Sequence, residues 1–532
     1  MKKPIHMAVT LASILPLIAA LRAQTWNQTE AGAYNWNDTA NWSSEVSPDD
    51  YSADVVISGA LAATQTIEQA NNYAYKLKSL TIGATSSMFA YTVQTGQFDF
   101  SGAAQPATIT QVSTGQADKL LVKGITIGSQ GLTITNNPTG FDLTIGDGAT
   151  RALTGTGNLT INGGVSFASN WTLNNTGTIT FGSAGSNRRA SVQNIGANVT
   201  EVILNRNNKA DTIGLGGSGA DFAGTFTLQK GTLGVYGATA LNNAATILDS
   251  TGGITNVLIN LRQSATLAGL NGGAEINRAS ASGLGTVTIK GSGNYSFEAS
   301  GWDSGSNPLA LTIDMATDIA SQALGGSWNF SGGVNVLKGR FIVATENLLK
   351  GSNYALNTLI VNGGTLATSV ANINLGTATT GGASMVLTLE SGSIDINGDS
   401  VGTITLGNTG TGSAASDFTM SGGVLALTIT GASTFDKIIG VSTGAASITG
   451  GTLDLSGSTG IVYANTIYRF LQSFGTTTVS GLSVTGYDTA NWLASVSADG
   501  ILSFSAAVPE PSAVAALAAL AVLAVAFVRK HC

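Results

Sequence analysis

The amino-acid sequence predicts an all-β protein, a right-handed parallel β-helix (β-solenoid) with a short C-terminal transmembrane helix. Three observations point to the solenoid. First, one stretch is written twice: residues 222–241, shifted by 108, fall on residues 330–349. Phe222, Gly224, Phe226, Leu228, Gly231, Leu233, Val235 and Leu241 then meet Phe330, Gly332, Val334, Val336, Gly339, Phe341, Val343 and Leu349. Such self-similarity marks units that bury an apolar face only by stacking on their neighbours. Second, an apolar-Thr-apolar-Gly signature recurs as Leu80-Thr81-Ile82-Gly83, Ile125-Thr126-Ile127-Gly128, Leu143-Thr144-Ile145-Gly146, Ile179-Thr180-Phe181-Gly182 and Ile404-Thr405-Leu406-Gly407. Apolar residues two apart share one face of a strand while Thr points away, and the glycine lets the chain turn with positive φ. Third, Gly-Gly between two apolar steps, at 159–165, 360–366, 418–425 and 448–453, reads as strand, corner, strand. The body shows no sustained 3.6-residue apolar period, so only 319–324 and 346–350 are expected to make a helical turn each. Strands and corners without helices fit a parallel solenoid better than a βαβ fold. Hairpin-type dipeptides at Asn162, Asn271, Asn362 and Asn397 leave a propeller or sandwich as the alternative. With about 20 to 25 residues per coil and strands about 4.8 Å apart, the body would be a rod on the order of 100 Å long.

Taken in order, residues 1–23 have a basic start at Lys2 and Lys3, an apolar run over 7–21 and the small residue Ala23. This reads as a signal peptide for the Sec translocon, cleaved between Ala23 and Gln24. Residues 24–57 carry Trp26, Trp36 and Trp42 with Tyr34 beside them. Exposed, these rings would be sugar-stacking platforms; as the first layer of a stack they plug its open end. The plug is the expected role, because an uncapped end exposes apolar rings and strand edges. The solenoid body is placed at 58–460 and a C-terminal cap at 461–507, where Tyr463, Tyr468, Phe470, Phe474, Tyr487, Trp492 and Phe504 gather. The pentapeptide DTANW of residues 38–42 returns at 488–492. Residues 508–532 form a tail in which 513–528 is an uninterrupted apolar run of 16 residues, about 24 Å as a helix against a hydrocarbon core of about 30 Å. Arg529 and Lys530 would hold its far end on the cytoplasmic side.

Composition excludes several chemistries. Without the two terminal segments the chain carries 18 basic and 29 acidic residues, a balance of −11, which argues against a nucleic-acid partner. The one cysteine is Cys532, and the two histidines, His6 and His531, lie in the terminal segments. A disulfide framework, Ser-His-Asp and Cys-His nucleophile systems, and zinc sites of these ligands are therefore excluded from the body. Carboxylates are sparse; outside the N-terminal segment the closest pairs are Asp142 with Asp147, Asp314 with Asp318 and Asp395 with Asp399. Asp395, Asn397 and Asp399 alternate as calcium-loop oxygens do, but no downstream bidentate acid follows, so a turn is expected and a cation site is the weaker reading. Arg188, Arg189, Arg206 and Lys209 read as solvated loop charges. No cofactor is expected.

Two segments resemble known families. Val508-Pro509-Glu510-Pro511, an apolar helix and the basic Arg529-Lys530 end closely resemble the PEP-CTERM sorting signal of Gram-negative bacteria. That resemblance implies an exosortase-type membrane enzyme that recognises Pro509, Glu510 and Pro511, and an exported protein of the cell surface or extracellular matrix, associated with exopolysaccharide or biofilm and held in the inner membrane only through the C-terminal helix before processing. The Gly-Thr-Leu units and YNWNDTANWS of residues 34–43 resemble the autotransporter-associated β-strand repeat; the outer-membrane barrel of a true autotransporter is replaced by the sorting tail, so passenger fold and surface address carry over and self-transport does not. The expected function is therefore that of a non-enzymatic structural or adhesive protein, with a carbohydrate-active β-helix enzyme, a polysaccharide lyase or hydrolase, as the alternative.

Overall fold

The computed structural model describes residues 23–531 except 86–87, 114–115, 137–141, 183–188, 218–220, 279–282, 303–306, 329, 349–355, 376–383, 408–414 and 508–510. All but the last residue of the signal peptide expected at 1–23, and the sorting residues Pro509 and Glu510, lie outside the described residues.

The fold follows from the two-residue period of the strands. A complete coil has three short strands, one per face. Asp54–Gly59, Gln65–Glu68 and Ala74–Lys76 lie on the first, second and third faces, and Ser79–Ala84, Tyr91–Gln94 and Gln97–Phe100 lie on them one coil later. Every pairing between coils is parallel, as the propeller and sandwich alternatives would not allow. Among the described residues, partners on successive coils are from 17 residues apart (Leu258 to Glu275) to 34 residues apart (Thr403 to Lys437). From Gln24 to Thr485 the first face is continuous, which at about 4.8 Å per rung gives a rod of about 90 Å.

The register stacks like on like. Val55, Leu80, Ile109, Ile134, Ile161, Phe181, Leu204 and Leu228 follow one another up the interior of the first face, all buried. The intervening residues point out and form a ladder of hydroxyls: Ser79, Thr108, Thr133, Thr160 and Thr180. β-Branched Thr suits a half-exposed pleated surface, and in places the rungs bond to each other, as Thr419 to Thr388 at 3.0 Å.

Glycine makes the corners. In the C-terminal half, Gly363, Gly392, Gly423, Gly451 and Gly481 all have positive φ, between +63° and +116°, and sit where the third face turns into the first. They account for the Gly-Gly signatures of the sequence. The apolar-Thr-apolar-Gly motif behaves less uniformly. Gly83, Gly146 and Gly407 have positive φ, but at Gly128 and Gly182 the need is space: an added Cβ would run into the Ser101 carbonyl and the Asn162 amide of the coil beneath.

The two copies of the 108-residue repeat both fold as strand, glycine corner, strand, yet on different faces. Strand Thr225–Val235 carries Phe226 on the first face and Leu233 on the second. Its counterpart carries Val334 on the third face and Phe341 on the first. The shift is not a whole number of coils; what recurs is the corner.

Several expectations are corrected. Residues 319–324 make no helical turn: Ser321–Ser327 is a strand between neighbouring parallel strands, anchored by buried Gln322, whose amide bonds the backbone N–H and C=O of Leu270 at 2.9 and 3.1 Å. In 346–350, Asn347–Leu348 is a strand. Short helical turns form instead at Thr39–Asn41 and Gly253–Asn256. The C-terminal helix forms at Pro511–His531, but among the described residues no helix is long and apolar enough to cross a membrane, so the spanning helix expected at 513–528 is not found. Its Leu517, Leu520, Val522 and Leu523 are exposed.

Both ends of the stack are closed by aromatics. Trp36 and Trp42 are fully buried and Trp26 nearly so, with ring centroids 4.9 Å apart along Trp26–Trp42–Trp36, so none of them is an exposed platform. At the other end the antiparallel sheet Ile467–Arg469, Trp492–Val496 and Ile501–Ala506 covers the last rungs. The two DTANW pentapeptides fold alike. Asp38 accepts the Ala40 N–H at 3.1 Å and Asp488 accepts the Ala490 N–H at 3.2 Å. Trp42 is buried, whereas Trp492 is half-buried and stacks on Tyr463 at 5.1 Å.

Candidate functional site

A polar concavity lies on the third face and arises from side-chain size. One outward column reads Gln97, Gly124, Ala152, Thr172: the atoms nearest an added Cβ at Gly124 would be the Gln97 amide oxygen at 3.4 Å and the Ala152 carbonyl at 3.7 Å, and Ala152 pairs with Thr172. The two small residues leave a groove of about 510 Å³. The adjoining column, Thr126, Thr154 and Asn174 in register, forms one wall, and the corner residues Lys123, Thr150 and Arg151 form the other. No carboxylate and no aromatic ring lines the groove.

Its two cations differ. Arg151 is anchored, with Nη2 on Asp147 Oδ2 at 3.3 Å and Nη1 donating to the Thr150 carbonyl at 3.2 Å. Lys123 Nζ donates to Asn71 Oδ1 and, at 3.1 Å, to Asn72 Oδ1, both neutral. Two neutral acceptors hold the ammonium in place and leave its charge uncompensated. The groove can supply donors and one fixed positive charge; it offers no acid–base pair.

A second cleft, about 430 Å³, opens beside the N-terminal plug between Asn37, Ser47, Asp49, Tyr73 and Tyr75. Its polar groups serve each other: Tyr73 Oη donates to Asp49 Oδ2, and Asp49 Oδ1 accepts the Lys76 N–H at 3.0 Å.

The residues singled out from sequence are placed as follows. Asp395 accepts Arg340 Nη2 at 3.2 Å and the Gly398 N–H at 3.1 Å. Asn397 sits at φ +60° with its amide on the Val401 carbonyl at 3.2 Å. The segment is a turn tied to the coil beneath, and among the described residues no three His, Cys, Asp or Glu side chains gather to hold a metal, Asp399 included. Asp147 and Asp314 likewise meet cations, Arg151 and Lys290. Arg206 is a correction: it is 2 % exposed and bonds the carbonyls of Gly163 and Gly182 at 3.4 and 3.1 Å, with burial pushing its pKa down to about 10. Lys209 pairs with Glu275. Ala23 and Gln24 open the described chain, Gln24 in the first strand. Pro511 starts the C-terminal helix, which also holds Arg529 and Lys530. Reading the sequence missed the groove, because Gly124 and Ala152 become neighbours only once coil register is known.

Among the described residues three acids are fully buried, Asp118, Asp211 and Asp436, and burial shifts the first and last. Asp118 accepts the Tyr91 N–H at 2.8 Å and the Gln111 amide at 3.1 Å. Asp436 accepts the N–H groups of Gly402 and Thr428, each at 2.6 Å. Burial outweighs these bonds and pushes the carboxyls up to about 6 and about 7. Each therefore binds its proton more tightly folded than unfolded, where it titrates near 3.8. The stability so gained is full below about pH 4 and is lost as pH rises through 6 and 7, at about 1.4 kcal/mol per pH unit for each group within its window. Melting temperature followed by circular dichroism is expected to fall from pH 4.5 to 7.5, and to fall less in Asp436→Asn. A flat or rising curve would contradict this assignment.

The chain matches no protein-family model, no curated protein and no solved structure.

Proposed function

We propose that this is a non-enzymatic, exported structural or adhesive protein of the cell surface or extracellular matrix: a stiff right-handed parallel β-helix that presents columns of hydroxyls and amides to exopolysaccharide. The observation that carries this reading is the outward ladder Ser79, Thr108, Thr133, Thr160 and Thr180 together with a groove lined by donors and no carboxylate. Glycoside hydrolysis ordinarily needs two carboxyl groups across the scissile bond, and the groove supplies none. The right hand is favoured because nearly all parallel crossover connections take it. The signal-like start, Pro509-Glu510-Pro511 and the helix whose leucines are exposed support export through the Sec translocon, cleavage between Ala23 and Gln24, and removal of the tail by an exosortase-type enzyme.

Protein recovered from the culture medium is expected to begin at Gln24 and to have lost the C-terminal helix by intact mass. On a polysaccharide panel it should bind without turnover. A chain still ending at Cys532 would overturn the sorting reading, and turnover would overturn the scaffold in favour of a carbohydrate-active β-helix enzyme.

A further inference from the structure

We infer that the third-face groove over Gly124 and Ala152 is a binding site for an acidic glycan, a polymer bearing uronic-acid carboxylates, with Lys123 as the carboxylate receptor. The inference rests on the polysaccharide-associated reading above and adds the chemical class of the ligand and the residues that take it.

The groove is shaped for a chain, not a compact ligand. Its floor is two stacked small residues on successive coils, and its wall repeats a hydroxyl or amide at every rung: Thr126, Thr154, Asn174. A polymer laid along the rod meets equivalent donors and acceptors about every 4.8 Å. The charge is local and of one sign. Arg151 is matched by Asp147; Lys123 is held only by the amide oxygens of Asn71 and Asn72. An ammonium has three donors, so two amides leave the third for a ligand oxygen. On a protein with a net charge of −7, such a cation gives an acidic polymer a place to dock. The nearest acid on the wall column, Asp99, is occupied by the Tyr51 hydroxyl at 2.6 Å and the Ser101 N–H at 2.9 Å. A single-stranded nucleic acid would want aromatic stacking surfaces and a basic groove; this lining has no ring and one uncompensated charge.

The test uses the full chain in calorimetric titrations with polygalacturonate and alginate, fully methyl-esterified polygalacturonate, dextran and poly-glutamate. An acidic glycan should bind, tenfold or more tighter than the methyl ester or dextran, and weaken as salt rises from 0.05 to 0.3 M, as an exposed charge contact does. Lys123→Ala should cost about tenfold, which is about 1.4 kcal/mol, and Lys123→Arg should recover part of it. Gly124→Leu should abolish binding by filling the groove. Its Cβ makes only ordinary contacts, so its melting temperature should match the parent, which separates a blocked groove from a damaged fold. Equal binding of poly-glutamate, unchanged affinity in Lys123→Ala and Gly124→Leu, or no affinity for either acidic glycan would each overturn the inference. Binding of dextran alone would overturn it while leaving the polysaccharide-associated reading in place; binding of no glycan would overturn both.

Discussion

Gly392→Ala is expected to destabilise the protein by about 3 kcal/mol, and Gly398→Ala, six residues on, by about 1 kcal/mol. Both glycines have positive φ, +79° and +59°, so both replacements carry the conformational cost of placing an L-residue in the left-handed region, about 1 to 2 kcal/mol. They differ in what an added methyl group meets. Nothing lies within 4 Å at Gly398, whereas at Gly392 the Cβ would run into the Gly364 carbonyl of the coil beneath and lie 2.8 Å from the Gly363 carbonyl carbon. The same holds along the ladder: Cβ atoms at Gly423, Gly451 and Gly481 would lie 2.8, 2.9 and 2.8 Å from carbonyl oxygens of the preceding coil. Backbone cannot step aside as a flexible side chain can, so the coils would have to separate. Urea denaturation of the two variants measures the difference. Equal losses would mean that the corner glycines are needed only for their dihedral freedom.

The corners show why the sequence reveals part of this fold and not the rest. Strand identity and facing were readable wherever apolar residues alternate, because Leu80 and Ile82, or Ile125 and Ile127, share a face by geometry alone; all four are buried. The glycine corners were readable for the same local reason. Coil register was not, since it depends on which strands meet across coils of 17 to 34 residues. That is why the 108-residue repeat, though real, joins Phe226 on the first face to Val334 on the third. Residues 319–324 show the opposite failure: local helix preference gives way to pairing with neighbouring coils and to the buried amide of Gln322. Charges misled in the same way. Arg206 reads as a solvated loop charge in sequence, and only the stack reveals that it serves the backbone carbonyls of Gly163 and Gly182 on earlier coils. The groove belongs with these, because its floor is a vertical neighbourhood and not a sequence motif.

Trp36→Ala is expected to cost about 4 kcal/mol, the range of large aromatic truncations in a packed core, and Trp492→Ala about 1 kcal/mol, although each tryptophan belongs to a terminal aromatic cluster. Trp36 is fully buried with its ring 4.9 Å from Trp42, 5.3 Å from Tyr75 and 6.1 Å from Phe98. Its indole N–H donates to the Pro48 carbonyl at 3.2 Å, and its own carbonyl accepts the Trp42 indole at 2.7 Å. Truncation would empty the centre of the plug and leave the Pro48 carbonyl without its donor. Trp492 only stacks, half-buried, on Tyr463. In an array where each coil touches only its neighbours, damage of this kind stays local. Hydrogen exchange on Trp36→Ala should therefore show lost protection in the strands Gly32–Asn35, Gln65–Glu68 and Ala74–Lys76 and unchanged protection in the coils beyond Thr225–Val235. Loss spread evenly along the rod would mean that the stack unfolds as one cooperative body, and that the tryptophan plug governs the stability of every coil above it.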